Sequence, residues 1–164
     1  MKNKIVVFDF DGTLFNTVDA AYGRIIYRKK TGKDWTHHGW YNREESLDTS
    51  VFPITINMKM KIEYENAKKN ANNIVCMVSE RPIKVKNKVE ELLYKHGFDF
   101  DFSFYREGEE DYFQVKCNQI KKILTTDSNI NSIVLFEDKK FDADRFKTWA
   151  KKFFQNVEIN LIKK

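Results

Sequence analysis

Val6-Val7-Phe8-Asp9-Phe10-Asp11-Gly12-Thr13-Leu14 decides the fold of this chain. The apolar run that starts at Ile5 is too short for a helix. It is stopped by acidic residues and a glycine, so residues 5–10 read as a buried strand that opens into a loop. Two carboxylates two residues apart at a strand end can divide chemical labour: one attacks an electrophile such as phosphorus and the other shuttles a proton. Gly12 permits the tight turn that brings both near one phosphate.

Outward from this strand, short apolar runs alternate with helical patterns. Residues 74–78 form a second run that ends at Ser79, and 101–105 alternate phenylalanines as a third. Residues 133–136 form a fourth, ending at Glu137 and Asp138, and 157–162 suit an edge strand. Between them, 84–96 place Val85, Val89, Leu92 and Leu93 on one helical face, with Gly97 as the stop and Pro82 just ahead of the start. Residues 113–125 and 142–154 repeat the pattern through Val115, Ile120 and Ile123, and through Phe146, Trp149 and Phe153. The alternation predicts an α/β, Rossmann-like parallel sheet of about five strands with helices on both faces. Ligands bind such sheets at the carboxyl ends of the strands. Here those ends carry Asp9 and Asp11, Ser79, and Glu137 with Asp138.

Residues 16–70 break the alternation and read as a small helical and loop insertion after the first strand. They hold a basic amphipathic helix at 17–30, the aromatic loop His37-His38-Gly39-Trp40-Tyr41, and a second helix at 57–72. The whole of 1–164 is expected to be one domain carrying that insertion.

Composition narrows the class. Hydrophobic residues are 41% and charged residues 32%, which excludes a disordered chain, and 14 phenylalanines predict a Phe-rich core. No apolar run approaches the roughly 20 residues of a spanning helix, so no membrane is expected. The strand-like N-terminus leaves no room for a secretory signal. Cys76 and Cys117 fit no metal or disulfide pattern, which points to a reducing, cytoplasmic setting. The net charge of +5, from 29 basic and 24 acidic residues, is compatible with a polyanionic substrate.

Asp9-Phe10-Asp11-Gly12-Thr13 resembles the first motif of the haloacid dehalogenase (HAD) superfamily of phosphatases. The others follow in order: Val78-Ser79-Glu80-Arg81, then Lys116, then Phe136-Glu137-Asp138. Together they cover about residues 4–155. Gly39-Trp40-Tyr41, Ser46-Leu47-Asp48 and Glu137-Asp138-Lys139 also resemble the HAD domain of the Swiss Army Knife RNA-repair proteins. Ser79-Glu80-Arg81 is similar to the turn of phage polynucleotide kinase–phosphatases. Two departures are plain: Val78-Ser79-Glu80 stands where the second motif usually carries Gly or Thr-Gly, and Tyr41 where a second tryptophan is expected.

The resemblance implies a Mg²⁺-dependent phosphatase. Asp9 would take the phosphoryl group as an aspartyl-phosphate, while Asp11 protonates the leaving oxygen and then activates water. Asp9, the carbonyl of Asp11 and Asp138 would hold Mg²⁺, with Glu137 in support. Thr13, Ser79 and Lys116 would bind phosphate oxygens. Arg81 either adds a bidentate phosphate contact or is a surface arginine, and Lys116 has a solvated lysine as its plain alternative.

The implied partner is a phosphorylated substrate, such as an RNA or DNA end. Trp35, Trp40 and Tyr41 either stack on a base or pack the insertion. Arg24, Arg28, Lys29, Lys30 and Lys33 either track a phosphate backbone or form a solvated helix face. The run Glu107, Glu109, Glu110, Asp111 reads as an exposed loop. A small-molecule phosphatase or nucleotidase, and a catalytically silent HAD-like binding module, are the alternatives.

Overall fold

Strands that are apolar on both sides must be covered on both sides, and that requirement organises the chain. The computed structural model describes residues 2–108 and 111–162, which leaves Glu109 and Glu110 of the acidic run outside the described residues. Its strands are β1 (Lys4–Asp9), β2 (Phe15–Asn16), β3 (Thr55–Ile56), β4 (Asn73–Pro82), β5 (Phe102–Arg106), β6 (Ser132–Glu137) and β7 (Asn156–Leu161). Its α-helices are α1 (Ala20–Thr31), α2 (Met58–Lys69), α3 (Lys86–Lys95), α4 (Tyr112–Thr126) and α5 (Lys140–Ala150). Short 3-10 turns at Glu44–Leu47 and Ile83–Val85 complete the set.

Five strands form one parallel sheet in the order β5-β4-β1-β6-β7. β1 is central, with Phe8 paired to Met77 on one side and Phe136 on the other. The period of two then sorts the side chains. Val6, Phe8, Val75, Met77 and Phe136 join α2 and α3 in one core. Ile5, Val7, Cys76, Val78, Ile133 and Leu135 join α4 and α5 in the other. The α/β sheet with helices on both faces is thus as the sequence implies. The first core is also the aromatic one: Phe8 stacks on Phe136 at 4.7 Å, and Phe10, Phe15 and Phe98 lie in the same cluster.

The chain leaves β1 towards β4 and β5, then returns to lay β6 and β7 on the opposite side. Connections therefore diverge at the carboxyl ends of β1 and β6, and that crevice is where such sheets take ligands. The five predicted strands and their flanking helices are present within a few residues. β4 runs furthest beyond its prediction, through Ser79, Glu80 and Arg81, with its register to β5 shifting between Ser79 and Pro82. Gly97 ends α3 with φ +69°, as its position predicts. No helix among the described residues is long and apolar enough to cross a membrane.

The segment after β1 divides in two. α2 belongs to the sheet's helical layer, because Met60, Tyr64 and Ala67 are buried in the aromatic core. The part before it builds a core of its own around Val18, Trp40 and Phe52. It is clasped at its base by the antiparallel pair β2–β3, with Phe15 opposite Ile56. Asp19 caps α1 by accepting from Tyr22 N–H, and Arg28, Lys29 and Lys30 suit the negative end of the helix dipole.

Trp40 settles the choice between stacking and packing on the packing side. The residue is 4% exposed and its indole N–H donates to the Val18 carbonyl at 2.9 Å. It lies on α1 where Gly23 leaves room, since a Cβ on Gly23 would fall 2.1 Å from the ring. A ring held this way offers no face to a base. Replacing Trp40 by Ala is expected to destabilise the insertion by about 3–5 kcal/mol, and Gly23→Ala by about 1–3 kcal/mol through overpacking. Denaturant titration and hydrogen exchange would check both. Protection should fall in α1 and the 33–54 loop before it falls in the sheet.

Candidate active site

The loop after β1 is fixed by apolar anchors on either side of its carboxylates. Phe10, Leu14 and Phe15 are fully buried, and the backbone closes on itself through Gly12 N–H to the Phe15 carbonyl at 2.8 Å. Gly12 makes the turn at φ +77°. Asp9 is therefore held in the protein while Asp11 stands at the edge of a cleft of about 370 Å³. Asp9, Asp11 and Asp138 line this cleft together with Tyr41, Glu80 and Lys139.

Asp9, Glu137 and Asp138 each bring a carboxylate oxygen within 4.8 Å of the others. Burial, then the negative charge of Glu137, pushes the Asp9 carboxyl well above its usual range, with Asp11 and Asp138 adding to the effect and Lys116 opposing it. A set of hard oxygen donors carrying surplus negative charge fits Mg²⁺ or Ca²⁺ and does not fit a soft metal.

Three cation–carboxylate pairs surround this cluster, and they differ in depth. Lys116 is not solvated: its Nζ donates to Glu137 at 2.7 Å, and both side chains are 1% exposed. The other Glu137 oxygen accepts from the backbone N–H groups of Asp138 and Lys139. Removing one partner of such a buried pair costs about 3–5 kcal/mol.

Arg81 is not a surface residue either. It is fully buried and grips Asp11 through Nε at 2.9 Å and Nη2 at 2.8 Å, while Nη1 donates to Ser46 Oγ and to the Tyr41 carbonyl. The bidentate partner of this guanidinium is thus a carboxylate of the protein. The third pair, Lys139 with Glu80 at 2.6 Å, is half exposed. Burial works against the Lys139 charge, but its bond to Glu80 outweighs this and holds the ammonium above its usual range. Exposed pairs of this kind contribute only about 0–1 kcal/mol.

The remaining predicted residues fall into place around these pairs. Ser79 is buried and its Oγ accepts from Arg81 N–H at 3.1 Å. The Thr13 hydroxyl is buried and has no hydrogen-bond partner among the described residues. Tyr41 is 41% exposed, with its ring 5.4 Å from the Arg81 guanidinium, so it and not Trp40 is the aromatic side chain at the cleft.

Four residues were not anticipated from sequence. Tyr112 donates its O–H to Asp9 at 3.0 Å. Burial and the neighbouring Asp9 raise its phenol well above the usual range, which keeps the proton in place. Its spacing of four from Lys116 puts both on one helix face, a signal that was available. Thr17 donates to Asp11 at 2.7 Å, and Glu80 pairs with Lys139. No local pattern announces either contact.

No protein-family pattern and no curated protein matches this chain. Solved structures do. The HAD domain of the effector protein Lem4 from Legionella pneumophila has a TM-score of 0.60 at 16% identity, covering 99% of this chain and 86% of that one. Chains of the Pnkp1/Rnl/Hen1 RNA repair complex score 0.58 at 18% identity over 99% of this chain, and 0.59 at 19% over 96%. This chain spans 48% and 43% of those chains, about half their length. The fold is that of a HAD domain, and the sheet end that bears the candidate site carries the residues the sequence motifs single out.

Asp138 and Glu137 are expected to separate by experiment. Glu137→Ala should lose about 3–5 kcal/mol of stability by stranding Lys116, whereas Asp138→Ala should keep its stability and lose more metal affinity. Calorimetric titration with Mg²⁺ beside denaturant melts decides it. A stable Glu137→Ala that binds metal worse than Asp138→Ala would reverse the two roles.

Proposed function

We propose that this protein is a Mg²⁺-dependent phosphatase acting through an aspartyl-phosphate on Asp9, with a phosphorylated nucleic-acid end as substrate. The observation that carries the reading is the buried Asp9 carboxylate, grouped with Glu137 and Asp138 and followed two residues later by an Asp11 that is clamped in place.

An Asp9 oxygen attacks phosphorus, and the bond from phosphorus to the leaving oxygen breaks. Asp11, at the cleft edge, gives that oxygen its proton. Asp11 then takes a proton from water as the water attacks phosphorus, the bond to Asp9 breaks, and orthophosphate leaves. Arg81 and Thr17 hold Asp11 as a carboxylate in the resting site, so the Arg81 grip has to loosen for Asp11 to carry the proton it donates, and Tyr112 orients Asp9. Lys116, Ser79 and the otherwise unsatisfied Thr13 hydroxyl hold phosphate oxygens. Asp9, the Asp11 carbonyl and Asp138 would hold Mg²⁺, which offsets the repulsion between a carboxylate and a phosphate dianion.

Three observations support the reading of a nucleic-acid end. The segment that borders the cleft through Asn16, Thr17, Asp19 and Tyr41 is short, and a short border suits the end of a longer chain. Tyr41 sits at the cleft edge with an accessible ring, the kind of surface on which a terminal base stacks. The solved chains of an RNA repair complex share the fold. One observation favours a small phosphomonoester instead: among the described residues, the cleft is lined by five carboxylates and one lysine, which disfavours a polyanion.

A phosphate-release assay with Mg²⁺ separates these readings. It compares 3′-phosphorylated oligonucleotides, 5′-phosphorylated oligonucleotides, mononucleotides and sugar phosphates at one ionic strength. Oligonucleotides should give the highest kcat/KM, chelator should abolish turnover and Ca²⁺ should inhibit it. Asp9→Asn should fall to background while keeping its fold by circular dichroism, because an amide is a poor nucleophile. Faster turnover of mononucleotides or sugar phosphates would replace the nucleic-acid reading with that of a nucleotidase or small-molecule phosphatase. Substantial turnover by Asp9→Asn would end the covalent mechanism.

A further inference from the structure

A phosphate arriving at Asp9 meets a wall that is mostly negative. Among the described residues lining the cleft, Asp9, Asp11, Asp19, Glu80 and Asp138 are acidic, and Lys139 is the one basic residue. The other two cations of the site keep buried carboxylate partners, so each brings little net positive charge to a phosphate, Lys116 included. Arg81 is fully buried against Asp11, and Lys116 is 1% exposed against Glu137. Freeing either would strand a buried charge. The Lys139–Glu80 pair differs on both counts. Its side chains are 49% and 35% exposed, and its members come from separate strand ends, Glu80 within β4 and Lys139 just after β6.

We infer that Lys139 is the mobile phosphate-binding cation of this site, and that Glu80 is its resting partner and is exchanged for substrate. This rests on the phosphatase reading above and adds to it a residue that binds substrate and a residue that competes with substrate. The anchors of the two differ in a way that suits the exchange. The Lys139 backbone is fixed by its N–H to Glu137, and the Glu80 carbonyl accepts from Arg106 Nε at 3.2 Å. Only the side chains need to move. The Lys139 ammonium swings from a single carboxylate to a phosphate dianion, which attracts it more strongly. Glu80 is left with solvent, to which it is already partly open. In the resting state the bridge spans the cleft between β4 and β6 and keeps a cation in reserve within a surplus of carboxylates.

A bridge that only braces the fold and a bridge that is exchanged for phosphate make opposite predictions for the two halves. If it is exchanged, Lys139→Met weakens phosphate binding, while Glu80→Gln strengthens it by releasing the lysine. The test is calorimetric titration of inorganic orthophosphate into the protein with Mg²⁺, for wild type, both single variants and the double variant. Lys139→Met is expected to weaken orthophosphate by about tenfold and Glu80→Gln to tighten it by about threefold, a size suited to partly exposed charge pairs. Adding Glu80→Gln to Lys139→Met should change affinity by less than about twofold, because Glu80 acts through Lys139. Lys139→Arg should keep most of the affinity, and thermal melts should show all four variants folded.

The inference is overturned if Lys139→Met binds orthophosphate as wild type does, or if Glu80→Gln weakens binding. It is also overturned if Glu80→Gln tightens binding equally with and without Lys139, since that would be a general field effect. If wild type binds no orthophosphate and releases none from any phosphomonoester, the phosphatase reading itself falls. Turnover by wild type together with an unchanged Lys139→Met removes this inference alone.

Discussion

Carboxylates crowd the ends of β1 and β6, and much of the surrounding structure answers that crowding. Asp9, Glu137 and Asp138 bring oxygens within 4.8 Å of one another in a place largely closed to water. Like charges at that separation are costly in a low-dielectric setting. The chain responds with a lysine on Glu137, a phenol on Asp9 and two backbone N–H groups on the far side of Glu137. Among the described residues, the positive charge that acts most on Asp9 is that of Lys116, which is itself tied to Glu137. A cation held by this carboxylate cluster would offset the surplus, and in the proposed reaction it would draw the phosphate in.

The sheet could be read from sequence because burial on both faces demands continuous apolar strands. Ile5 to Phe8 and Ile133 to Phe136 have little alternative as buried segments. Their acidic ends were equally visible, so Asp9, Asp11, Glu137 and Asp138 could be placed at one crevice before any coordinates. β2 and β3 could not be read, because two residues carry no period. The length of β4 was hidden because Ser79, Glu80 and Arg81 continue no apolar run; β5 pairs on either side of Glu80 and Arg81, at Ser79 and Pro82, with a register shift between them.

Partners distant in sequence were the least legible part of the site. Arg81 could be named as important, but its grip on Asp11 joins residues 70 apart and leaves no local trace. Trp40 and Tyr41 are adjacent and similar in chemistry. Which ring faces inward depends on the gap at Gly23 in α1, a fact of packing that no pattern in the 37–41 loop reveals. Lys116 differs again. Its helix position was plain, yet its depth follows from Glu137 lying at the end of a neighbouring strand.

Arg81 also constrains how this protein can vary. One guanidinium touches three parts of the chain at once: the Asp11 carboxylate, the Tyr41 carbonyl and the Ser46 hydroxyl. The 41–46 turn is therefore part of the scaffold that holds Asp11, even though it lies between β2 and β3, outside the main sheet. A shorter or exchanged insertion that failed to return an acceptor to both points would leave a fully buried arginine partly unsatisfied next to Asp11. Length changes should accumulate elsewhere in the insertion, for instance at 32–38, while the turn keeps its spacing. The segment is modular in sequence order but not in inheritance: it can drift in outline only as far as a single arginine allows.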